Sequence, residues 1–247
     1  MTLIVSAGSF VLPSPNTGPR VAIMSLWRND VDRQITVRME RLIDKTYRNR
    51  RYIWVYGDCD DSTGEILTAA AAEMGRIAGI DIEVVRHDTG ISGNTTRCVD
   101  ISRLLRLSLT ANAGFRRLRH DDDYLLIHES DLVTPPDLIE RFLTNAANGC
   151  CPISGWPTLC VNGNTLFYDT WAYSDMSGRY FSNLEPHPTA VFALRSFGSV
   201  AMIHGEDARA ITLESEAFRE ICGKIRANGR TLWCDPSISV VQPTELW

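Results

Sequence analysis

No two cysteines in this chain stand at C-x-x-C spacing, no stretch is apolar for long enough to span a membrane, and positive charge is not in excess. Each absence excludes something. The seven cysteines, Cys59, Cys98, Cys150, Cys151, Cys160, Cys222 and Cys234, offer neither a zinc ribbon nor a thioredoxin-like site. An odd, unpaired set predicts reduced thiols and a cytoplasmic location. Residues 1 to 11 lack a basic lead and a sustained hydrophobic run, so neither a signal peptide nor a membrane anchor is expected. A formal net charge of −5 excludes coating of nucleic acid through bulk charge, although a local groove remains open to the Arg-rich middle of the chain. No internal repeat or low-complexity tract is present, and no Gly-rich signature with a following Arg and Lys comes directly after the first strand. That last absence disfavours a nucleotidyltransferase.

What is present is an ordinary globular composition over 247 residues, 44% hydrophobic and 22% charged, enough for one large domain. Val21 to Leu26 reads as a first core strand. Val31, Ile35, Met39, Leu42 and Ile43 recur at helical spacing between Asn29 and Lys45, with Asn29 or Asp30 as the cap. Tyr52 to Tyr56 predicts a second strand, residues 64 to 78 an alanine-rich helix ending at Gly79, and Ile80 to Arg86 a third strand. Thr95 to Asn112 predicts another helix, and Tyr124 to Ile127 a strand apolar on both faces. Strand and helix alternating in this way build a parallel, twisted sheet by right-handed crossovers. Beyond Pro136 a helix is expected to Ala147, strands at Val191 to Arg195 and Ser199 to Ile203, a helix from Glu214 to Ala227, and a last strand from Ile238 to Val241. The rest of that half reads as irregular and aromatic.

The fourth strand ends in Glu129-Ser130-Asp131, two carboxylates separated by one small residue, and Pro135-Pro136 then forbids a continuing ladder. Open α/β sheets bind ligands at the carboxyl ends of their strands. Mg²⁺ and Mn²⁺ take oxygen ligands, often together with phosphates. The triplet therefore points to a divalent cation gripping a diphosphate.

In this order the chain resembles a GT-A glycosyltransferase. The loop from Val55 to Gly64 resembles the family-2 loop in which an aspartate meets the nucleobase. Residues 87 to 103 resemble the stretch before the metal motif, and Glu129-Ser130-Asp131 stands at the Asp-x-Asp position with Glu as its first acid. Pro157, Phe167-Tyr168-Asp169-Thr170-Trp171, Leu213-Glu214-Ser215-Glu216 and Pro236 are similar to Anp1-type fungal mannosyltransferases and capsule-associated relatives. The resemblance implies one GT-A domain over residues 1–247, an α/β fold with a nucleotide-sugar-binding half at about 20–134 and a mixed acceptor-binding half at about 135–247.

The resemblance and the positions of the residues together suggest individual roles. Asp131 and Glu129 would be metal ligands with Mn²⁺ or Mg²⁺, and His204 a third. Ser130, Ser25, Arg28, Asp58, Asp60, Arg97 and Arg103 would contact the donor, with Asp58 accepting from the base and the arginines reaching phosphate. Trp156, Tyr168 and Trp171 would offer a sugar platform, with Asp169 binding hydroxyls. Glu214 and Glu216, or Glu206 and Asp207, would be the acids for a general base if the enzyme inverts, whereas the Anp1-type relatives retain configuration. The implied reaction moves a hexose of mannose or glucose type from a GDP or UDP sugar to a glycan or other hydroxyl acceptor. Two alternatives remain: a phage-type transferase acting on a hydroxymethylated DNA base, and a non-catalytic nucleotide-binding module.

Overall fold

The computed structural model describes residues 18–31, 34–91, 100–161 and 163–243. In chain order the elements are β1 (Val21–Trp27), α1 (Ile35–Ile43), β2 (Arg50–Tyr56), α2 (Thr63–Ala78), β3 (Ile82–Arg86), α3 (Ile101–Phe115) and β4 (Tyr124–His128). Then come α4 (Leu138–Ala147), β5 (Ile153–Val161), β6 (Asn164–Phe167), β7 (Phe192–Leu194), β8 (Val200–His204), α5 (Gly205–Ala210), α6 (Phe218–Ala227) and β9 (Leu232–Gln242). Among the described residues, nine strands form one sheet in the order β3-β2-β1-β4-β8-β5-β9-β7, with β6 beside β5. The first four are mutually parallel. β8 then runs antiparallel between β4 and β5.

The strands are apolar on both faces because both faces are covered. Met24, Val55, Leu125 and Ile127 lie in one core with Ala111 and Phe115 of α3 and Phe218, Ile221 and Ile225 of α6. Val21, Ile23, Tyr52, Trp54 and Leu126 lie in the other with Met39 and Leu42 of α1, Leu67 of α2 and Phe142 of α4.

Several expectations needed correction. α1 starts at Ile35 rather than near Asn29, because the Asp30 carboxylate is engaged by the Arg28 amide at 2.9 Å and the Arg38 guanidinium at 2.6 Å. Gln34 occupies the left-handed region just before it, at φ 60°. α3 is capped by Asp100, whose side chain accepts from the Arg103 amide, and the expected start at Thr95 lies outside the described residues. β5 and β6 form a hairpin where irregular chain was expected. Gly155 and Pro157 hid β5, yet Gly155 is required there. A Cβ would sit 2.7 Å from Val240 Cγ2 and 2.8 Å from the Ile238 carbonyl, beside the irregular step in the β5–β9 ladder. Trp156 is not a sugar platform. It is buried against Phe167 at 4.6 Å and Phe181 at 5.7 Å between ring centres.

The amino end of β4 is pinned by a fully buried ion pair. Arg51 Nη2 of β2 meets Asp122 Oδ2 at 2.6 Å, its Nε donates to Oδ1 at 2.9 Å, and both side chains are wholly buried. The Arg119 amide adds a donor at 2.7 Å. Removing one partner strands the other charge in the core, which costs about 3–5 kcal/mol. Asp122→Ala should lose that much stability in urea denaturation while keeping far-ultraviolet circular dichroism; a loss below about 1 kcal/mol would show that the pair does not anchor the strand.

Candidate active site

Parallel pairing brings the carboxyl ends of β1, β2 and β4 to one edge of the sheet. Leu26 lies opposite Val55, and Met24 opposite Ile127. The loops that leave this edge carry Arg28, Asp58 and the Glu129–Asp131 triplet.

Glu129 is half-buried immediately past β4, and its amide donates to the Ser199 carbonyl at 3.1 Å. Burial raises its carboxyl well above the ordinary range, reinforced by the charges of Asp131 and Asp169 and opposed by Arg103. Asp131 Oδ2 accepts a weak 3.4 Å contact from Gln242 Nε2, at the end of β9. Ser130 is buried between the two acids. Asp169 lies in the turn after β6, 2% exposed. Its Oδ2 accepts from the Ser199 hydroxyl, while Oδ1 has no hydrogen-bond partner among the described residues. Burial raises this carboxyl to about 6, against the lowering effect of the Ser199 and Ala172 donors.

Opposite the acids stands a group of arginines. Arg103 opens α3 close enough to draw the Glu129 carboxyl down. Arg106, one turn on, is 6% exposed and donates to the Ile91 carbonyl at 3.2 Å. Its own pKa is lowered by burial and by the neighbouring charges of Arg28 and Arg103, with Asp58 acting in the opposite sense.

The structure redistributes the residues expected here. Ser25 is not a nucleotide contact: it is buried within β1, and its hydroxyl donates to the His128 carbonyl at 2.7 Å, tying β1 to β4. His204 is not at the site. β8 runs antiparallel to β4, so His204 pairs with Tyr124, roughly 13 Å along the strand from His128 at the ordinary rise per residue. Glu206 and Asp207 follow it to that far end, where both are paired with Arg230. Asp58 holds the loop after β3. Its Oδ1 accepts the Thr89 and Gly90 amides at 3.0 Å, and its Oδ2 the Thr89 hydroxyl. Much of its accepting capacity is therefore spent before any base arrives. Asp60 is exposed and exchanges hydrogen bonds with Asn29. Arg28 Nε donates to the Asp58 carbonyl at 3.2 Å. Arg97 lies outside the described residues. Glu214 and Glu216 are exposed on the segment leading to α6, which is moored to the middle of α3 by Asn112 with Leu213 and by Ser108 with Ala217.

Sequence reading missed Arg106, Ser199 and Gln242 as parts of this site. Arg106 could have been found, because it is one helical turn beyond Arg103 and so on the same face. Nothing in the sequence marks Ser199 or Gln242.

Among the described residues, no group of three or more His, Cys, Asp or Glu side chains is placed to hold a metal ion. The pair Glu129 and Asp131 nevertheless suits a hard cation that keeps water and substrate phosphates as its other ligands. The raised Glu129 pKa comes first from burial and then from the neighbouring Asp131 and Asp169 charges, which Arg103 only partly offsets.

No protein-family description and no curated protein sequence matches the chain. Solved structures do, and they define its class: the fold is that of the GT-A glycosyltransferases, an α/β sheet parallel in its first half and mixed in its second. One similar structure is the mannosyltransferase PcManGT from Pyrobaculum calidifontis in complex with GDP-Man and Mn²⁺, at TM-score 0.55 and 15% identity, covering 95% of this chain and 60% of that one. Another is GalNAc-T7 with UDP, GalNAc and Mn²⁺, at TM-score 0.55 and 14% identity, covering 91% and 44%. The chain thus spans about half the length of these two proteins. No helix among the described residues is long and apolar enough to cross a membrane.

The raised Asp169 pKa makes a prediction about pH. The group is protonated in the folded protein at values where it is already ionised in the unfolded chain. The stability it contributes is therefore full below its ordinary value of 3.8 and is lost as pH rises through about 6. Asp169→Asn should show a smaller fall in Tm between pH 4 and pH 6.5 than the parent protein; parallel Tm profiles would show that Asp169 titrates normally.

Proposed function

We propose that this chain is a divalent-cation-dependent glycosyltransferase that moves a hexose from a nucleoside diphosphate sugar to a hydroxyl acceptor. The observation that carries the reading is the emergence of Glu129 and Asp131 at the carboxyl edge of the parallel strands with Arg103 near enough to act on Glu129, and Arg106 beside Arg103 and Arg28. That edge is where such sheets take nucleotides. The two similar structures, one with GDP-Man and one with UDP, each with Mn²⁺, support the donor class and the cation. Mannose from a GDP donor comes first, and glucose-type or UDP sugars second.

Mn²⁺ or Mg²⁺ bound at Glu129 and Asp131 would supply Lewis-acid neutralisation of the departing diphosphate. The arginines hold the same phosphates by charge-assisted hydrogen bonds, so the leaving group is met from two sides. Asp58, through Thr89 and Gly90, sets the loop on the base side of the pocket. The half-buried Tyr168, Thr170 and Trp171 flank Asp169 on the acceptor side. The sheet that runs unbroken from β3 to β7 supports reading both halves as one domain with a single cleft.

A carbohydrate or other small hydroxyl acceptor is favoured over duplex DNA by how the arginines are distributed. Arg51, Arg117 and Arg119 are paired with Asp122, Glu83 and Asp81 at the opposite end of the sheet. Arg103 and Arg106 are on the nucleotide side. Neither set forms the continuous basic stripe that a phosphate backbone requires.

Asp131→Ala should abolish sugar transfer without lowering Tm. A thermal-shift panel of nucleoside diphosphates with and without Mn²⁺ tests the donor site directly. A ligand at about one hundred times its Kd should stabilise the parent by about 2.7 kcal/mol and do so less in the variant. Binding of nucleotide and Mn²⁺ without any sugar transfer or donor hydrolysis would instead favour a non-catalytic nucleotide-binding module.

A further inference from the structure

Asp169 is a buried acid that the reaction outlined above does not require, yet the fold is built around it at close quarters. Its Oδ2 accepts the Ser199 hydroxyl. Gly198, the residue before Ser199, approaches so closely that a Cβ there would lie 2.6 Å from the same Oδ2 and 2.7 Å from Ala172 Cβ. The turn that carries Asp169 is closed by its own carbonyl, which accepts the Ala172 and Tyr173 amides at 3.3 and 3.2 Å. The Tyr173 hydroxyl then reaches the Gly155 and Gly198 carbonyls at 3.1 and 3.4 Å. The turn therefore grips the 198–199 segment at two points, the Asp169–Ser199 bond and the Tyr173–Gly198 bond.

Ser199 needs that grip. It holds φ at 49°, in the left-handed region, which costs a non-glycine residue of the order of 1–2 kcal/mol. In that conformation its carbonyl accepts the Glu129 amide at 3.1 Å, and the next residue, Val200, begins the ladder opposite His128. A hydrogen-bonded chain thus runs from the Asp169 carboxyl through the Ser199 hydroxyl and carbonyl to the Glu129 backbone. It fixes the point where β4 releases its first acid.

We propose that Asp169 is a positioning residue for Glu129, acting through Ser199, so that the turn after β6 sets the geometry of the cation and diphosphate site at the end of β4. The functional part of this inference rests on the reading of Glu129 as a cation ligand; the geometric part does not. An outer partner that orients a metal ligand is commonly worth about 10- to 100-fold in metal affinity.

Asp169→Ala, Ser199→Ala, the double variant and the conservative Asp169→Asn test it with two readouts. The first is hydrogen exchange of the Glu129 amide by NMR, with Leu126 in mid-strand as internal control. The second is Mn²⁺ affinity by isothermal titration. Asp169→Ala and Ser199→Ala should each speed exchange at Glu129 but not at Leu126. Each should also weaken Mn²⁺ binding by about tenfold or more, the double variant should be no worse than either single one, and Asp169→Asn, which keeps an oxygen acceptor for Ser199, should restore near-parental values. Parental exchange at Glu129 in both alanine variants, or effects that simply add in the double variant, would overturn the proposal. If Asp169→Ala does not fold, Ser199→Ala against Asp169→Asn carries the same comparison. A parent protein that binds no Mn²⁺ while Glu129 exchange still responds would reject the proposed cation site and leave the positioning role standing.

Discussion

The buried Arg51–Asp122 ion pair sets where everything else at the site falls. Asp122 stands two residues before β4, and Arg51 reaches it from β2 with two donors, so the start of β4 is locked to its neighbour across β1. The strand is only five residues long. With its start fixed and its length short, the level at which Glu129 leaves the sheet follows directly. Gly205 reinforces the anchor from the other side, where its amide donates to the Asp123 carbonyl at 2.7 Å and a Cβ would collide with the Asp122 carbonyl. A pair this deep gives little net stability over an apolar replacement, and its contribution here is register.

Ion pairs between distant segments gather at the amino end of the sheet. At the amino end acids and arginines neutralise one another: Arg20 with Asp81 and Asp121, Arg119 with Asp81, Arg230 with Glu206 and Asp207. At the carboxyl end burial is the main cause that raises the Glu129 carboxyl and lowers the Arg106 guanidinium, with Asp131 and Asp169 adding to the first shift and Arg28 and Arg103 to the second. These shifts, together with the carboxyl-edge position, support reading this end as the functional one.

The parallel half was largely legible in the sequence because its signals are local. Four apolar runs, helical spacings between them, Gly79 as a helix stop and the abrupt change after Ile127 each reflect a physical preference of a short segment. The acid-x-acid triplet could be placed at a strand end for the same reason. The acceptor half was less legible. Gly155 and Pro157 argue against a strand when read alone, and they are tolerated in β5 because Val240 and Ile238 approach closely at a ladder irregularity. Of the three aromatics read as a sugar platform, Trp156 fills the core against Phe167 and Phe181, while Tyr168 and Trp171 stay half-buried. His204 was assigned by residue type. Only the direction of β8 could show that it stands beside Tyr124 instead of His128.

The sequence by itself determined that β1 to β4 would be parallel strands and that Glu129 and Asp131 would emerge together where the last of them ends, since hydrophobic patterning and proline exclusion act within a few residues. The tertiary structure decided which distant groups meet those acids. Asp169 and Ser199 arrive from two different connections, Gln242 from the final strand and Arg103 and Arg106 from α3. The 111 residues between Gln242 and Asp131 and the 30 between Asp169 and Ser199 are closed by sheet order and loop packing. Those long-range arrangements depend on the whole chain's burial of apolar surface, which no local motif encodes.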